Sequence, residues 1–273
     1  MTIAAVVVAT WNGNWFPSGR AEHRAHPDVE DATITAAAEM LADGFRKVDP
    51  AGTNDWILCL NEIRGPKSAS NLVSRIGRAC LVVNVITDYR RRDRFDMQQD
   101  VIASTLPVAE TEKAIFPYRG KESPPRGYAY AALVLEPAKT SAVYAVHLKS
   151  NYGATTDAVR RQNRIKRHRA VQTVVQRESS RSRPVVFAGD FNADRWKKEF
   201  ADEEMFRELD GGDFSDVVAL LPPMRRWTHP SKTYGNSALD HIYLRGFAAC
   251  SKPVVMPNLG LSDHFAVFTV LTP

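Results

Sequence analysis

The chain has 273 residues, is 44% hydrophobic and 25% charged, and carries a formal net charge of +5. Those proportions exclude a disordered or low-complexity chain and call for a packed core, and the positive balance favours anionic partners: nucleic acid, phosphorylated metabolites or lipid headgroups. Three widely spaced cysteines (Cys59, Cys80, Cys250) with no CxxC pair argue against a disulfide framework or a zinc site.

Taken in order, Ile3 to Thr10 reads as a continuous apolar strand, Trp11 to Arg20 as a Gly/Pro/Asn-rich loop, and His23 to Asp31 as a polar loop. Thr33 to Val48 has helical spacing with Asp31 as an N-cap. Trp56 to Leu60 is a second strand ending in Asn61-Glu62, Ser68 to Arg78 a helix, and Leu81 to Ile86 a third strand. The Tyr89 to Asp96 cluster, YRRRDRFD, reads as a solvated loop. Val101 to Thr105, Ala129 to Leu135 and Ser141 to His147 are further strands. Asp157 to Glu178 is a helix with a basic face: Arg160, Arg161, Arg164, Lys166, Arg167, Arg169 and Arg177. Val185 to Ala188 is a buried strand running into Gly189-Asp190-Phe191-Asn192, and Lys197 to Leu209 a surface helix. Leu239 to Leu244, Ala249 to Val255 and Phe265 to Leu271 are the late strands. No repeat and no linker divides the chain. The expectation is one α+β domain over residues 1–273, with two mostly antiparallel sheets face to face and helices outside. No segment is long and uncharged enough to span a membrane, and no signal-type segment opens the chain. A cytoplasmic location is therefore favoured, with a secreted mature form left open.

Apolar runs stop at residues suited to phosphate or metal chemistry: Asn12, Glu62, His147, then Asp190 with Asn192. Asp263-His264 precedes the last strand, and Asp240-His241 opens another. Singly, each has an ordinary structural reading: Glu62 on a surface turn, His147 in the core, Asp190 and Asn192 in a turn, Asp240 as a cap. Together, strand ends meeting at one edge of a sandwich would form a pocket. His241 points to the opposite face from Asp240 and falls outside the set. The oxygen donors match Mg²⁺ or Mn²⁺, with Ca²⁺ also compatible. HExxH, GxSxG, GxxxxGK[ST] and GxGxxG are all absent. The chemistry implied is metal-assisted attack of water on a phosphoester.

ATWNGNW, CLNEIRG, YAVHLKSN, FAGDFNAD, SALDHIYL and LSDHFAV follow in the order of the endonuclease/exonuclease/phosphatase superfamily, which the chain resembles from about Val6 to Val270. That group includes deoxyribonuclease I, exonuclease III-type enzymes, bacterial sphingomyelinases and inositol polyphosphate 5-phosphatases. The resemblance implies a four-layer α/β sandwich. It also implies that Glu62 binds the metal with Asn12 and Asp263 close to it, and that Asp190 and Asn192 contact the attacking water and the phosphate. His264, paired with Asp240, activates water or stabilises phosphate, and His147 donates to the phosphate or the leaving oxygen. Arg126 lies where relatives often bind phosphate. The general base stays open between Asp190 and His264. Two departures stand out: Asn61 replaces a common Gln, and Gln98, with Asp96 or Asp100 nearby, stands where relatives orient the first histidine with Glu. The basic Asp157 to Glu178 helix, the YRRRDR loop and the positive balance, which could track phosphates, favour a nuclease acting on DNA rather than RNA, as a monomer; the alternatives are a small-molecule or lipid phosphoesterase and a non-enzymatic binding module. His229, Lys232 and Tyr234 lie on a loop that could face substrate or solvent.

Overall fold

The computed structural model describes residues 5–18, 27–77, 82–91, 94–258 and 260–272. Its first half contains β1 (Val6–Phe16), α1 (Pro27–Val48), β2 (Asp55–Ile63), α2 (Pro66–Arg75), β3 (Val82–Ile86), β4 (Arg90–Arg91), β5 (Arg94–Phe95), β6 (Gln99–Ser104) and β7 (Val108–Ala114). The second half contains β8 (Tyr128–Glu136), β9 (Lys139–His147), α3 (Asp157–Ser179), β10 (Val185–Asp190), α4 (Glu204–Gly211) and β11 (Ser215–Asp216). It ends with β12 (Asp240–Arg245), β13 (Ala249–Cys250), β14 (Val254–Met256) and β15 (Ala266–Thr272).

A seven-stranded sheet runs β13-β15-β1-β2-β6-β3 with β14 beside β15, and a six-stranded sheet runs β11-β12-β10-β9-β8-β7. Each has one parallel pair at its centre, β1 with β2 and β9 with β10, flanked by antiparallel neighbours. A parallel pair needs a long crossover, which α1 and α3 supply. Side chains alternate across each strand. Val6, Val8, Ile57 and Cys59 from one sheet meet Val143, Ala145, Val186, Ala188 and Ile242 from the other in the central core. The opposite faces of the two sheets pack against helices. Val7, Ala9 and Leu58 lie with residues of α1 and α2, and Tyr144, Val185 and Phe187 with residues of α3 and α4. The order of layers is helix, sheet, sheet, helix, as expected from the sequence. Cys59 is a buried free thiol. No helix among the described residues is long and apolar enough to cross a membrane.

Several boundaries differ from the sequence reading. β1 continues through Trp11 to Phe16, where a loop was expected, because Trp11, Asn12 and Phe16 keep pairing with Leu60, Asn61 and Ile63 across a bulge. Helix α1 begins at Pro27, so Asp31 is not its cap; proline suits a first turn, and Asp28 and Glu30 favour its positive end. The expected Lys197 to Leu209 helix breaks into a short 3₁₀ turn at Lys198–Phe200 and α4. The break turns Glu203 inward to pair with Arg167. Pro253 lies between β13 and β14, dividing the expected Ala249 to Val255 strand, since proline cannot donate to a ladder. Within the charge cluster, expected as a loop, β4 and β5 pair antiparallel, Arg90 opposite Phe95 and Arg91 opposite Arg94. The edge strand β7 has no apolar stripe to announce it: most of its side chains are exposed or half-exposed, and charged residues suit an edge. Ile3, His23, Arg78, Cys80 and Leu81 lie outside the described residues.

Candidate active site

Period two places the polar strand ends in the gap between the sheets. On β10, Asp190 shares a face with Val186 and Ala188, and on β12 Asp240 shares one with Ile242 and Leu244, all core residues between the sheets. His147 ends β9 in step with Val143 and Ala145. Register then aligns them: Asp190 lies opposite His147 on one side and Asp240 on the other, while Asn12 lies opposite Asn61 in the facing sheet. Gly189 lets β10 come close to β9. Its φ is 142°, and a Cβ there would stand 2.0 Å from the Val146 carbonyl oxygen.

Asp190 Oδ2 is the hub. Asn12 Nδ2 donates to it at 2.9 Å and Asn192 Nδ2 at 2.9 Å. His147 Nε2 lies 3.4 Å away and His264 Nε2 3.9 Å. Asp190 Oδ1 accepts the Asn192 backbone N–H at 2.8 Å. Glu62 adjoins the hub, with Oε1 at 3.6 Å from His147 Nε2 and 3.4 Å from Asn12 Nδ2. Glu62 and Asn192 have φ of 57° and 52°, left-handed backbone that non-glycine residues adopt at a cost and that clusters at functional sites. His264 Nδ1 faces Asp240 Oδ2 at 2.7 Å. The loop before β15 is fixed by Ser262 Oγ, which donates to the Asn12 carbonyl at 2.7 Å and accepts the His264 N–H at 3.0 Å.

Asn12, Glu62, His147, Asp190, Asn192, Asp240 and His264 thus form one connected network. Asp263 lies at its rim, half-exposed, 3.9 Å from His264 Nε2 and 3.7 Å from His229 Nε2. Among the described residues it forms no hydrogen bond with Glu62 or Asn12. Arg126 sits behind His147, donating to the His147 and Leu148 carbonyls at 3.3 Å each and to Gln98 Oε1 at 2.8 Å. Gln98 therefore holds Arg126, and among the described residues His147 Nδ1 is buried with no hydrogen-bond partner. His241 faces the helix side as expected, bonded to Asp216.

Two residues named in the sequence without a role at the site take part in it. His229 packs against His264, tilted at 54° with ring centroids 4.8 Å apart, brought there by a bridge between His229 and Ser237. Asn61 clamps the sheets together: its Oδ1 accepts the Asp190 N–H at 2.9 Å, and its Nδ2 donates to Val146 O at 2.9 Å and Asp100 Oδ1 at 2.8 Å. An amide at a strand end carries no periodic signal, and His229 is joined to the site only by tertiary pairing.

The charges are pulled apart. Burial lowers the basicity of His264, but Asp240, Asp190 and Asp263 together outweigh it and push its pKa up to about 10. Burial, reinforced by Arg126, His264 and Lys149, holds His147 well below the usual imidazole range. Burial raises Asp190 to about 7 despite the attraction of His264. At neutral pH one imidazole is a cation and a donor, and the other is neutral.

The donor set fits a hard divalent cation. Glu62 and Asp190 are buried carboxylates, and among the described residues neither meets a Lys or Arg. Asn12 turns its Nδ2 to both carboxylates and its Oδ1 accepts the Asn14 N–H at 2.9 Å, so the carboxylate oxygens are the donors, and such oxygen donors suit Mg²⁺-class ions. Two further groups, Asp190-Asp240-His264 and His229-Asp263-His264, bring ligand atoms within 4.8 Å of one another. The first is already committed to the His264–Asp240 hydrogen bond.

A four-layer sandwich with carboxylates, amides and two imidazoles at one edge is an arrangement suited to phosphoester chemistry, and solved structures share the fold. An endonuclease/exonuclease/phosphatase from Beutenbergia cavernae matches with a TM-score of 0.68 at 15% identity, over 98% of this chain and 71% of that one. Humanized D. rerio TDP2 matches at 0.63 and 16% identity, over 99% and 100%. D. rerio TDP2 complexed with a single-strand DNA product matches at 0.62 and 16%, over 98% and 99%. At these identities the likeness establishes the fold. No curated protein matches the sequence. The chain belongs to the Endonuclease/Exonuclease/phosphatase family, whose model matches residues 9–264. Membership implies hydrolysis of phosphoric esters with dependence on a divalent metal.

Proposed function

We propose that the protein is a phosphodiesterase that cleaves nucleic-acid backbone, DNA in preference to RNA, with Mg²⁺ or Mn²⁺. The observation that carries the chemistry is the convergence of Asn12, Asn192, His147 and His264 on the one oxygen of Asp190. Glu62 would hold the cation, with Asn12 fixing the carboxylates beside it through Nδ2, and the bound cation would withdraw charge from the phosphoester oxygens. Asp190 accepts the proton of the attacking water. Asn192 and the protonated His264, oriented by Asp240, donate to the phosphate oxygens. His147 donates from Nε2 toward the leaving oxygen, and Asp263, at the rim, completes the oxygen donors.

Family membership and the net charge of +5 support the nucleic-acid substrate, and the fold is shared with TDP2, seen with a single-strand DNA product. Incubation of supercoiled plasmid with Mg²⁺ or Mn²⁺ at low salt tests it: nicking that chelator abolishes is expected, and intact plasmid overturns it. One observation favours a lipid phosphoesterase instead. Leu220, Met224 and Tyr234 expose apolar surface in the segment leading to β12. Release of phosphocholine from sphingomyelin, with DNA left intact, is the result that selects this second reading.

A further inference from the structure

The cations expected to follow a phosphate backbone are not where the sequence placed them. On α3, Arg160 pairs with Asp157, Arg164 with Asp202, Arg167 with Glu203, Arg169 with Glu122 and Arg177 with Glu112. Most of the basic face is thus neutralised by neighbouring carboxylates. Two other cations stand without carboxylate partners among the described residues. Lys197 Nζ donates only to neutral oxygens, Ser237 Oγ at 2.7 Å and Tyr234 O at 3.1 Å. Arg226 donates to the Leu221 and Ala219 carbonyls and lies over the Trp196 ring at 4.4 Å.

Both cations line a cavity of about 170 Å³ whose walls include Trp196, Trp227, Asp194 and Asn236. Trp196 and Trp227 are 39% and 36% exposed, so each indole offers part of its surface while the rest is anchored. Asp194 is spent on the backbone, accepting the Trp196 and Ala238 N–H groups at 2.9 Å each. The side chain of Asn236 has no hydrogen-bond partner among the described residues and is free to read an edge. The cavity adjoins the candidate active site: Lys197 Nζ donates to Ser237 Oγ, Ser237 pairs with His229, and the His229 ring lies 4.8 Å from that of His264.

The geometry points to a nucleobase subsite: the Trp196–Trp227 cavity takes one unpaired base beside the scissile phosphate, while Lys197 and Arg226 meet the adjoining phosphates. The inference rests on the nucleic-acid reading above and extends it to single-stranded or frayed substrate, because a base stacked in a duplex cannot enter. The size agrees: sites for whole drug-sized ligands run about 300–1,000 Å³, so this one admits a single ring system. Aromatic walls suit a base of any identity, since every base has a π-face.

The test is binding in chelator, read by anisotropy, of a labelled single-stranded octadeoxynucleotide, its abasic analogue of equal charge, and the same sequence as duplex. Stacking of one base is worth about 1–3 kcal/mol, so the base-bearing strand should bind about 5- to 150-fold more tightly than the abasic one. Trp196→Ala and Trp227→Ala should erase that ratio, and Trp227→Phe should keep it. Equal affinity of wild-type protein for the base-bearing and abasic strands overturns the subsite. So does tighter binding of duplex than of single strand, or a ratio unchanged in both alanine variants. Plasmid nicking by a protein that fails this test leaves the nuclease reading standing without the subsite. Binding of phosphatidylcholine–phosphatidylserine vesicles with no affinity for either oligonucleotide removes both.

Discussion

Two histidine–carboxylate pairs hang from neighbouring residues of β12, and they are built for different ends. Asp240 faces the gap between the sheets and holds His264 at 2.7 Å; His241 faces the helices and is held by Asp216 at 2.8 Å. The outer pair is closed. His241 Nε2 points at the Ala193 and Ala238 carbonyls at 3.2 and 3.0 Å, and Asp216 Oδ1 accepts the Val218 N–H at 3.0 Å. The pair in the gap is open. Among the described residues Asp240 Oδ1 is buried without a partner, and His264 Nε2 meets only carboxylates, at 3.9 Å. A satisfied buried pair fixes a fold, whereas an unsatisfied one at the mouth of a site is poised for a ligand.

The largest expected effect is on rate. His264→Ala and Asp190→Asn should each lower phosphodiester hydrolysis by about 10²–10⁴-fold, measured as initial rates on bis-p-nitrophenyl phosphate and on oligonucleotide. Wild-type rates in both variants would break the contrast between the pairs. Asp216→Asn should do the reverse. The new amide can still accept the Val218 N–H and donate to Nδ1 of a neutral His241, so the charge-assisted bond is what is lost, about 1–3 kcal/mol in unfolding free energy, while the rate of the folded fraction stays near wild type. A stable but inactive Asp216→Asn protein would show that the outer pair also serves the chemistry.

The pH dependence of stability, followed by urea unfolding in chelator, separates the groups by sign. His264 has a folded pKa of about 10 against an ordinary 6.5, so its pairing stabilises fully below pH 6.5 and fades as pH rises through 10. His241 is raised too, despite its burial, through Asp216, and its contribution is likewise lost upward from pH 6.5. Asp190 runs the other way. Its folded pKa of about 7 lies above the ordinary 3.8, so ionising it costs stability increasingly from pH 3.8 through 7. Asp190→Asn should therefore be more stable than wild type at pH 8, by on the order of 1 kcal/mol or more, with no gain at pH 4. A loss of stability at pH 8 would contradict the burial cost assigned to this carboxylate.

What the sequence revealed and concealed follows from the same alternation. Asp190, Asp240 and His147 end apolar strands, so a period of two already puts them on the core side of their sheets, and His241 on the other. Layer order follows from the same runs. Asn61 stayed hidden as a clamp because its three partners lie on β6, β9 and β10, which no local pattern connects to β2. His229 sits in a loop whose path is set by its bridge to Ser237 and by Thr228, whose carbonyl accepts the Phe265 N–H. The basic face of α3 was visible as charge, but its neutralisation depends on acids as far away in sequence as Glu112 and Glu203. The β1 bulge and the break before α4 are tertiary choices: one keeps a ladder, the other buries Glu203.

The smallest expected effect concerns the third imidazole, which has no carboxylate behind it. Relatives orient this histidine with Glu, yet Gln98 turns away to Arg126 at 2.8 Å, and His147 Nδ1 stays unpartnered. Gln98→Glu should therefore strengthen the hold on Arg126 rather than create a third histidine–carboxylate pair. An ion pair at a partly exposed arginine is worth about 0.2–1 kcal/mol, so kcat/KM should move by no more than about fivefold. The acid limb of its pH–rate profile should keep its midpoint, because His147 remains neutral beside Arg126 and the charged His264. An upward shift of that limb in Gln98→Glu would mean that a carboxylate at residue 98 reaches Nδ1, and that His147 belongs with the paired histidines rather than apart from them.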